Sequence, residues 1–161
     1  NTQGYTVMVS NYLRYFRLRA YFRRYTKQQI GLILGISNLD LIFTEEYYEG
    51  LEGGILEAFS KLFPDKTRLY IYPYKNPDRE ELVTVKNFTP PKNLQHLYNH
   101  FYENGYLIGL EENADESLLG ISPVKIAADI QKGRGEWEKH IPESIAEMII
   151  KKKLLGFANS K

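Results

Sequence analysis

Short apolar runs alternate with longer amphipathic stretches along the chain, which is the pattern of an α/β protein. Two runs predict buried strands, "YTVMVS" at Tyr5–Ser10 and "QIGLILG" at Gln29–Gly35. A third run, "TRLYIYPYK" at Thr67–Lys75, alternates with period two, and "YLIGL" at Tyr106–Leu110 predicts a fourth strand. Because helical stretches separate these strands, the pattern predicts a three-layer α/β fold with a mostly parallel sheet.

The first helical stretch, "SNYLRYFRLRAYFRRYT" at Ser10–Thr26, carries five arginines, six aromatic rings and no acid. A helix that binds nucleic acid would concentrate its positive charge on one face. Here the arginines scatter between two apolar stripes, which consist of Tyr15, Leu18, Phe22 and Tyr25 and of Leu13, Phe16 and Ala20. We therefore interpret it as a core helix with solvated arginines, and expect no nucleic-acid partner.

Further helices are indicated by capping residues and by proline. Ser37 and Asp40 resemble a capping box at the start of a helical region that runs to Phe63. The stretch "KNLQHLYNHFYENG" predicts a helix that ends at Gly105. The last two helices are predicted to start at Pro123, after Ser122, and at Pro142, because proline is favoured in the first helical turn.

Two groups of residues resemble metal ligands without completing a motif. His96 and His100 lie one helical turn apart, but Leu97 stands where a zinc-protease helix has glutamate. The stretch "EEYYEGLEGG" at Glu45–Gly54 groups four carboxylates, a composition that is also common near helix starts. We interpret the histidines as surface or partly buried residues and expect no metal site.

Length and composition predict a single cytoplasmic domain without disulfides or membrane spans. A length of 161 residues fits a single α/β domain spanning residues 1–161. The absence of cysteine excludes disulfides and a cysteine nucleophile, and it favours a cytoplasmic location. Apolar runs are too short to span a bilayer, so no membrane partner is expected. Since the chain opens directly on a predicted strand, we expect it to be the C-terminal part of a longer protein, with the N-terminal portion as its partner.

Charge is distributed unevenly along the chain. Residues 1–39 hold six basic side chains and no acid, while the remainder holds 15 basic and 20 acidic side chains. Such a split can steer an anion towards a site, or it can match two faces of a homodimer. Both interpretations stay open at this stage.

The ends of the first two predicted strands are candidate phosphate sites. "VSN" supplies Ser10 and Asn11, and "LGISN" supplies Ser37 and Asn38, each after a strand and before a helix. In parallel α/β sheets, ligands bind at the carboxyl ends of strands, with phosphates on helix amides. The alternative is that all four residues are helix caps.

Several stretches together resemble a bacterial family often labelled nicotinate-mononucleotide adenylyltransferase-like, and sometimes mislabelled TonB-dependent receptor. The resemblance covers nearly the whole chain and implies a cytosolic, Rossmann-like domain that binds a phosphorylated ligand or a nucleotide. Such a nucleotide could bring Mg²⁺ with it. The stretches are "VSNYLRYFRLRAYFRRYTKQQIGLILGISNLDLIF", "LEGGILEAFSKLF", "RLYIYP", "NLQHLYNHFYENG" and "IQKGRGEWEKHIPESIAEMIIKKKLLGF".

The adenylyltransferase label implies two motifs, H-x-G-H and a later I-S-x-T-x-x-R at a helix start. The stretch "GISPVKIAADIQKG" offers Ile121 and Ser122, but Val124 and Ala127 occupy the threonine and arginine positions. Lys125 partly substitutes, so the resemblance makes Ser122 and Lys125 ligand-binding candidates. The sequence contains no H-x-G-H, and no complete catalytic motif for a nucleotidyltransferase is present.

Two other functions fit the sequence. A strand ending in "VSN" also resembles the second motif of haloacid-dehalogenase-type phosphatases, in which a strand-end hydroxyl holds phosphate. The nucleophilic aspartate of those enzymes would precede Asn1, so this alternative is a degenerate phosphatase domain that binds phosphate at Ser10 and Asn11. A non-catalytic assembly module is the third alternative.

Overall fold

The structure, a computed structural model, describes residues 4–64, 67–75 and 81–157. These residues form two compact units. Unit 1 comprises the described residues up to Tyr74 together with 81–114, and unit 2 comprises Lys75 with 115–157. The prediction of a single domain over 1–161 stays a prediction.

Unit 1 contains a three-stranded parallel sheet in the order β1-β2-β5. These strands are β1 (Gly31–Gly35), β2 (Arg68–Tyr72) and β5 (Leu107–Gly109). Leu69 of β2 lies opposite Leu32 on one side and Leu107 on the other. An α/β fold with a parallel sheet is therefore confirmed. Two short strands, β3 (Tyr74–Lys75) and β4 (Leu82–Val83), pair separately.

The helices of unit 1 are α1 (Tyr15–Arg23), α2 (Ser37–Ile42), α3 (Gly54–Leu62) and α4 (Gln95–Glu103). Their buried side chains form one core with Leu69 and Ile71 of β2, which are almost completely buried. Ile33 points to the opposite face of the sheet and is 73% exposed. Right-handed crossovers that step in one direction place their helices on one face of a sheet, which accounts for this one-sided core.

The predicted strand at Tyr5–Ser10 is wrong, because this segment is irregular in the structure. Tyr5 is 71% exposed and Val9 is 95% exposed. The Ser10 hydroxyl accepts a hydrogen bond from the Tyr12 amide at 3.0 Å, which is a local turn and not a sheet contact. A strand needs a paired neighbour, and no described segment pairs with this one. Ser10 therefore does not end a strand of the sheet.

The first helix is shorter and less symmetric than its pattern predicts. Phe16 is buried, whereas Phe22 is only half-buried, and Leu13 and Tyr25 flank the helix as exposed residues. Arg19 is also buried, at 8% exposure, and donates to the carbonyl oxygen of Pro64 at 3.4 Å. The interpretation as a core helix is confirmed for one face, while the expectation of a solvated Arg19 is wrong.

The predicted N-terminal caps of α1 and α2 are wrong. Helix α1 begins after Arg14, so Ser10 and Asn11 lie too far upstream to cap it. Ser37 is the first residue inside α2 and makes no capping hydrogen bond, since Ile36 occupies the cap position. The helix predicted to end at Gly105 is confirmed as α4, and Gly105 has a left-handed φ of 69°.

Unit 2 is built from two helices, α5 (Pro123–Lys132) and α6 (Glu143–Lys152). Ser122 caps α5 as predicted, with Pro123 in the first turn, whereas Pro142 lies at the cap position of α6. The core of the unit consists of Ile130, Trp137, Ala146 and Ile149. Among the described residues, no helix has the length and apolarity that crossing a bilayer requires.

Candidate functional site

The start of α5 borders the cavity that best matches the sequence-predicted site residues. The cavity has a volume of about 680 Å³, within the range of small-molecule sites. Its wall contains both Ser122 and Lys125, which the resemblance made candidates. The other lining residues are Ser117, Gly120, Ile121, Ile126, Asp129, Arg134, Gly135, Glu136, Trp137 and His140.

One wall of this cavity, which we call the α5 pocket, is formed by the capped helix start. The Ser122 hydroxyl accepts a hydrogen bond from the Lys125 amide at 3.4 Å. Pro123 has no amide hydrogen and fixes φ near its helical value, so it suits the first turn. Because Ser122 lines the cavity, the positive end of the helix dipole lies at this part of the wall.

Another part of the wall is formed by residues near the end of α5, where the helix stops at a turn. Gly133 ends the helix with a φ of 58°, and the Arg134 amide donates to the Asp129 carbonyl oxygen at 3.2 Å. Gly135 has a φ of 92°, and a Cβ atom there would lie 3.1 Å from the Asp129 carboxylate. Glycine at position 135 thus lets the turn close over Asp129 and brings Arg134 to the pocket.

Two basic side chains, Lys125 and Arg134, and two acidic side chains, Asp129 and Glu136, line the α5 pocket. Glu136 forms an ion pair with Lys139 at 2.6 Å, and this contact lowers the pKa of the Glu136 carboxyl. Neither Lys125 nor Arg134 forms an ion pair with any residue that the structure describes. Asp129 is the remaining carboxylate in the wall. Two cations without an ion pair to any described residue therefore line this cavity, which His140 lines as well.

Ser10 and Asn11 belong to unit 1, whereas all lining residues of the α5 pocket belong to unit 2. Both line a cavity of about 440 Å³. Asn11 also lines a second cavity, of about 620 Å³, together with Arg14 and Arg17. Arg14 donates to the Glu49 carbonyl oxygen at 3.3 Å and stands 5.9 Å from the centroid of a tyrosine ring. These contacts hold Arg14 within the fold of unit 1.

After the second predicted strand, the Asn38 side chain makes hydrogen bonds to other residues of unit 1. The Asn38 side-chain oxygen accepts from the Tyr15 hydroxyl at 2.7 Å, and its amide nitrogen donates to the Gly35 carbonyl oxygen at 3.3 Å. Ser37 is exposed and lines neither the α5 pocket nor the Arg14 cavity. The structure thus brings Ser122 and Lys125 together and leaves Ser37 and Asn38 out of both cavities.

The residues that resembled metal ligands do not converge. His96 and His100 are exposed, as expected. The Glu45 carboxylate accepts from the Asn93 side-chain amide at 2.7 Å. Within the described part of the chain, no three or more histidine, aspartate or glutamate side chains are grouped so that they could hold a metal ion.

Sequence reasoning missed Arg134 and His140, which line the α5 pocket. The glycines on either side of Arg134 are a readable signal, because "GRG" predicts a tight turn between two helices. The distance in sequence from Ser122 to Arg134 gives no indication that both residues line the same cavity.

No known protein family, curated protein or solved structure matches this chain. The resemblance to adenylyltransferase-like proteins therefore stays a prediction. The function has to be argued from the α5 pocket itself.

Proposed function

We propose that this protein binds a small phosphorylated ligand or a nucleotide, and that the α5 pocket holds the phosphate group. One observation carries the proposal: a serine-capped helix start shares a cavity of about 680 Å³ with Lys125 and Arg134. Membership of an adenylyltransferase-like family, a Rossmann-like three-layer arrangement and a cytoplasmic location belong to the same proposal.

Each group in the pocket has a specific use in phosphate binding. Amides at the start of a helix and the helix dipole favour an anion. Arginine can donate two parallel hydrogen bonds to phosphate, and lysine adds a point charge. The Glu136 carboxylate is already paired with Lys139, so its repulsion of a phosphate is partly compensated. We expect Arg134 to orient the phosphate and Lys125 to contribute attraction.

The proposal is for binding and does not include group transfer. Val124 and Ala127 occupy the positions at which the resembling motif has threonine and arginine, and the sequence lacks H-x-G-H. A nucleotide ligand could bring Mg²⁺ with it, because its phosphates are themselves ligands for magnesium.

The phosphatase-like alternative has less support than this proposal. It rests on a strand that ends at Ser10, and residues 5–10 are irregular in the structure. The remaining alternative, an assembly module without a ligand, differs from our proposal in a measurable way. An assembly module would not be stabilised by phosphorylated small molecules.

The test measures thermal unfolding of the chain with inorganic phosphate, AMP, ATP or nicotinate mononucleotide. Trp137 is the single tryptophan, is 2% exposed and lies in unit 2, so its fluorescence reports this unit. At a hundredfold excess over the dissociation constant, a ligand should stabilise unit 2 by about 2.7 kcal/mol. We expect the double variant Lys125→Ala, Arg134→Ala to lose this shift.

The matched control is Lys151→Ala with Lys152→Ala, which removes two exposed cations of α6 that do not line the pocket. This control should keep the shift. Ser122→Ala is less informative, because it removes a helix cap and costs about 1 kcal/mol with or without a ligand. If no compound of the panel shifts the fluorescence transition of the wild-type chain, the proposed function is wrong.

A further inference from the structure

Asp129 supplies a carboxylate to the wall of the α5 pocket. The residue is half-buried and lines the cavity. Among the residues that the structure describes, no side chain forms an ion pair or a hydrogen bond with its carboxylate oxygens. The second carboxylate in the wall, Glu136, pairs with Lys139. Asp129 is therefore the less compensated of the two acidic groups.

Asp129 lies one helical turn along α5 from Lys125. Residues four apart lie on the same side of a helix, and four residues advance its axis by about 6 Å. Opposite charges at this spacing often form an ion pair, yet none joins these two side chains. A ligand whose anionic group lies at the start of α5 would meet the Asp129 carboxylate one turn further along the helix.

The turn after α5 restricts where this carboxylate can lie. A Cβ atom at Gly135 would be only 3.1 Å from Cγ and from one carboxylate oxygen of Asp129, so the turn packs directly against this group. The Asp129 carbonyl oxygen accepts a hydrogen bond from the Arg134 amide at 3.2 Å. The backbone of the turn thus limits the positions of the carboxylate, which is a requirement for selective recognition.

A half-buried carboxylate is stabilised by hydrogen-bond donors, because burial removes part of its hydration. A ligand could offer an ammonium group or hydroxyl groups. An ammonium group would be repelled by Lys125 and Arg134, which line the same cavity. Hydroxyl groups are neutral donors, and the two oxygens of one carboxylate can accept from two neighbouring hydroxyls. The charges around Asp129 therefore favour a pair of hydroxyls.

The cavity is larger than a phosphate group alone requires. Its volume of about 680 Å³ lies within the range for sites that hold organic ligands. Ile121 and Ile126 add apolar side chains to the wall beside the polar groups. A ligand that combines a phosphate, hydroxyl groups and an apolar ring surface would contact each of these kinds of lining residue.

We propose that Asp129 is the specificity-determining residue of the α5 pocket. Its carboxylate accepts hydrogen bonds from vicinal sugar hydroxyls of a ligand whose phosphate lies at Ser122 and Lys125. The ligand class is thereby narrowed to phosphate esters of a sugar with vicinal hydroxyls, which includes ribonucleotides and sugar phosphates. This inference rests on the function proposed above, and it adds the group that separates such ligands from other phosphates.

The experiment compares two ligands that share phosphate, sugar ring and base and differ only in the hydroxyls, AMP and 2′,3′-dideoxy-AMP. Binding to the full chain is measured by isothermal titration calorimetry. We expect AMP to bind at least about tenfold more tightly, because a hydrogen bond to a charged group contributes about this factor or more. Ribose 5-phosphate, which lacks the base, should also bind more tightly than inorganic phosphate, and its affinity relative to AMP distinguishes a sugar phosphate from a nucleotide.

Asp129→Asn tests whether this residue recognises the hydroxyls. The variant keeps the size of the side chain and removes its charge. We expect its affinity for AMP to fall about tenfold, whereas its affinity for 2′,3′-dideoxy-AMP stays the same or rises, since a negative charge near the phosphate is removed. A residue that only supported the fold would lower both affinities together. Retention of the wild-type preference for AMP in Asp129→Asn would overturn the inference.

The matched control is Glu147→Gln, which removes one carboxylate of the same unit. Glu147 is exposed on α6 and does not line the pocket, so this variant should keep the full preference for AMP. The comparison of the two nucleotides on wild type needs no variant, and it therefore tests the inference even if Asp129→Asn does not fold.

Two outcomes separate this inference from the proposed function. If AMP, 2′,3′-dideoxy-AMP and inorganic phosphate all bind wild type with equal affinity, the α5 pocket holds phosphate and the assignment of Asp129 is wrong. If none of these compounds binds, the proposed function is wrong and the assignment of Asp129 is wrong with it.

Discussion

Unit 1 buries a continuous core of aromatic and aliphatic side chains against its sheet, whereas the core of unit 2 consists of one tryptophan and three other residues. The ring of Phe59 alone lies within 6.2 Å of four other rings, those of Phe43, Tyr48, Phe63 and Phe101. In unit 2 the Trp137 ring has one aromatic neighbour among the described residues, Phe157, at 6.0 Å. The two units therefore differ in how much apolar contact stabilises them.

This difference predicts that unit 2 opens at a lower free energy than unit 1. Regions with few buried apolar contacts open locally at a lower free energy than well-packed cores. The same binding free energy is a larger fraction of the stability of such a region than of a well-packed core. The α5 pocket lies in the unit with the smaller core, so binding should be visible first in the Trp137 signal.

Phe59→Ala should have the largest effect on stability. Phe59 is 2% exposed, and its truncation would leave a cavity beside four rings, at a cost of about 3–5 kcal/mol in the free energy of unfolding. Urea denaturation followed by far-UV circular dichroism measures this cost. The control Leu56→Ala removes a side chain that is 63% exposed on the same helix and should change little. A cost below about 1 kcal/mol for Phe59→Ala would contradict the core described for unit 1.

Ile130→Ala tests the smaller core while keeping the Trp137 reporter. Ile130 is 2% exposed in α5, and we expect a loss of about 2–4 kcal/mol, within the range for buried isoleucine. The fluorescence transition should move to lower urea, while amides of β1 and β2 keep their exchange protection. If the sheet amides lose protection in parallel, the units do not unfold separately and the comparison above fails.

Arg19→Ala distinguishes a buried arginine from a solvated one. Arg19 is 8% exposed, and its guanidinium donates to the Pro64 carbonyl oxygen. Losing this hydrogen bond and the packing of the side-chain stem should cost about 1–3 kcal/mol. Arg24→Ala is the matched control, because Arg24 is exposed at the end of α1. Equal costs for the two variants, measured by urea denaturation, would show that Arg19 is solvated after all.

The parts of the fold that the sequence predicts well are those with local signals. The alternation in "RLYIY" identifies β2 and the inward direction of Leu69 and Ile71. Ser122 followed by Pro123 identifies the start of α5. In each case neighbouring residues determine the structure, so periodicity and capping chemistry are sufficient.

The errors concern features that depend on distant residues. Tyr5–Ser10 has the composition of a buried strand, but strand formation also requires a paired edge, which composition does not reveal. The sequence predicts a solvated Arg19, because it does not show that the Pro64 carbonyl oxygen lies within hydrogen-bond distance of this side chain. Arg134 lines the α5 pocket because it lies in a turn in which Gly135 packs against Asp129. Of the two cations in the wall of the α5 pocket, the sequence therefore identifies Lys125 and misses Arg134, which follows the end of α5.

The smallest effect is expected at the surface of unit 1, for Glu57→Gln. The Glu57 carboxylate accepts from the Lys61 ammonium at 2.5 Å and from the Gly53 amide at 2.9 Å, and these contacts lower the pKa of Glu57 below its ordinary value of 4.5. A carboxyl whose pKa is lowered by folding stabilises the protein above its unfolded pKa, and this contribution disappears as the pH falls through the folded pKa. Glutamine can still accept from Gly53, so the substitution removes mainly the attraction to Lys61.

Wild type should therefore exceed Glu57→Gln in melting temperature at pH 7, with a difference that shrinks as the pH falls below 4.5. Because the pair is exposed, added salt should reduce the difference at pH 7. Glu52→Gln is the control, since Glu52 is an exposed carboxylate close in sequence that makes no ion pair with the described residues. Melting curves followed by circular dichroism at pH 3, 5 and 7 provide the comparison. A difference that stays constant across this range would show that the Lys61 contact has no electrostatic contribution to the stability of unit 1.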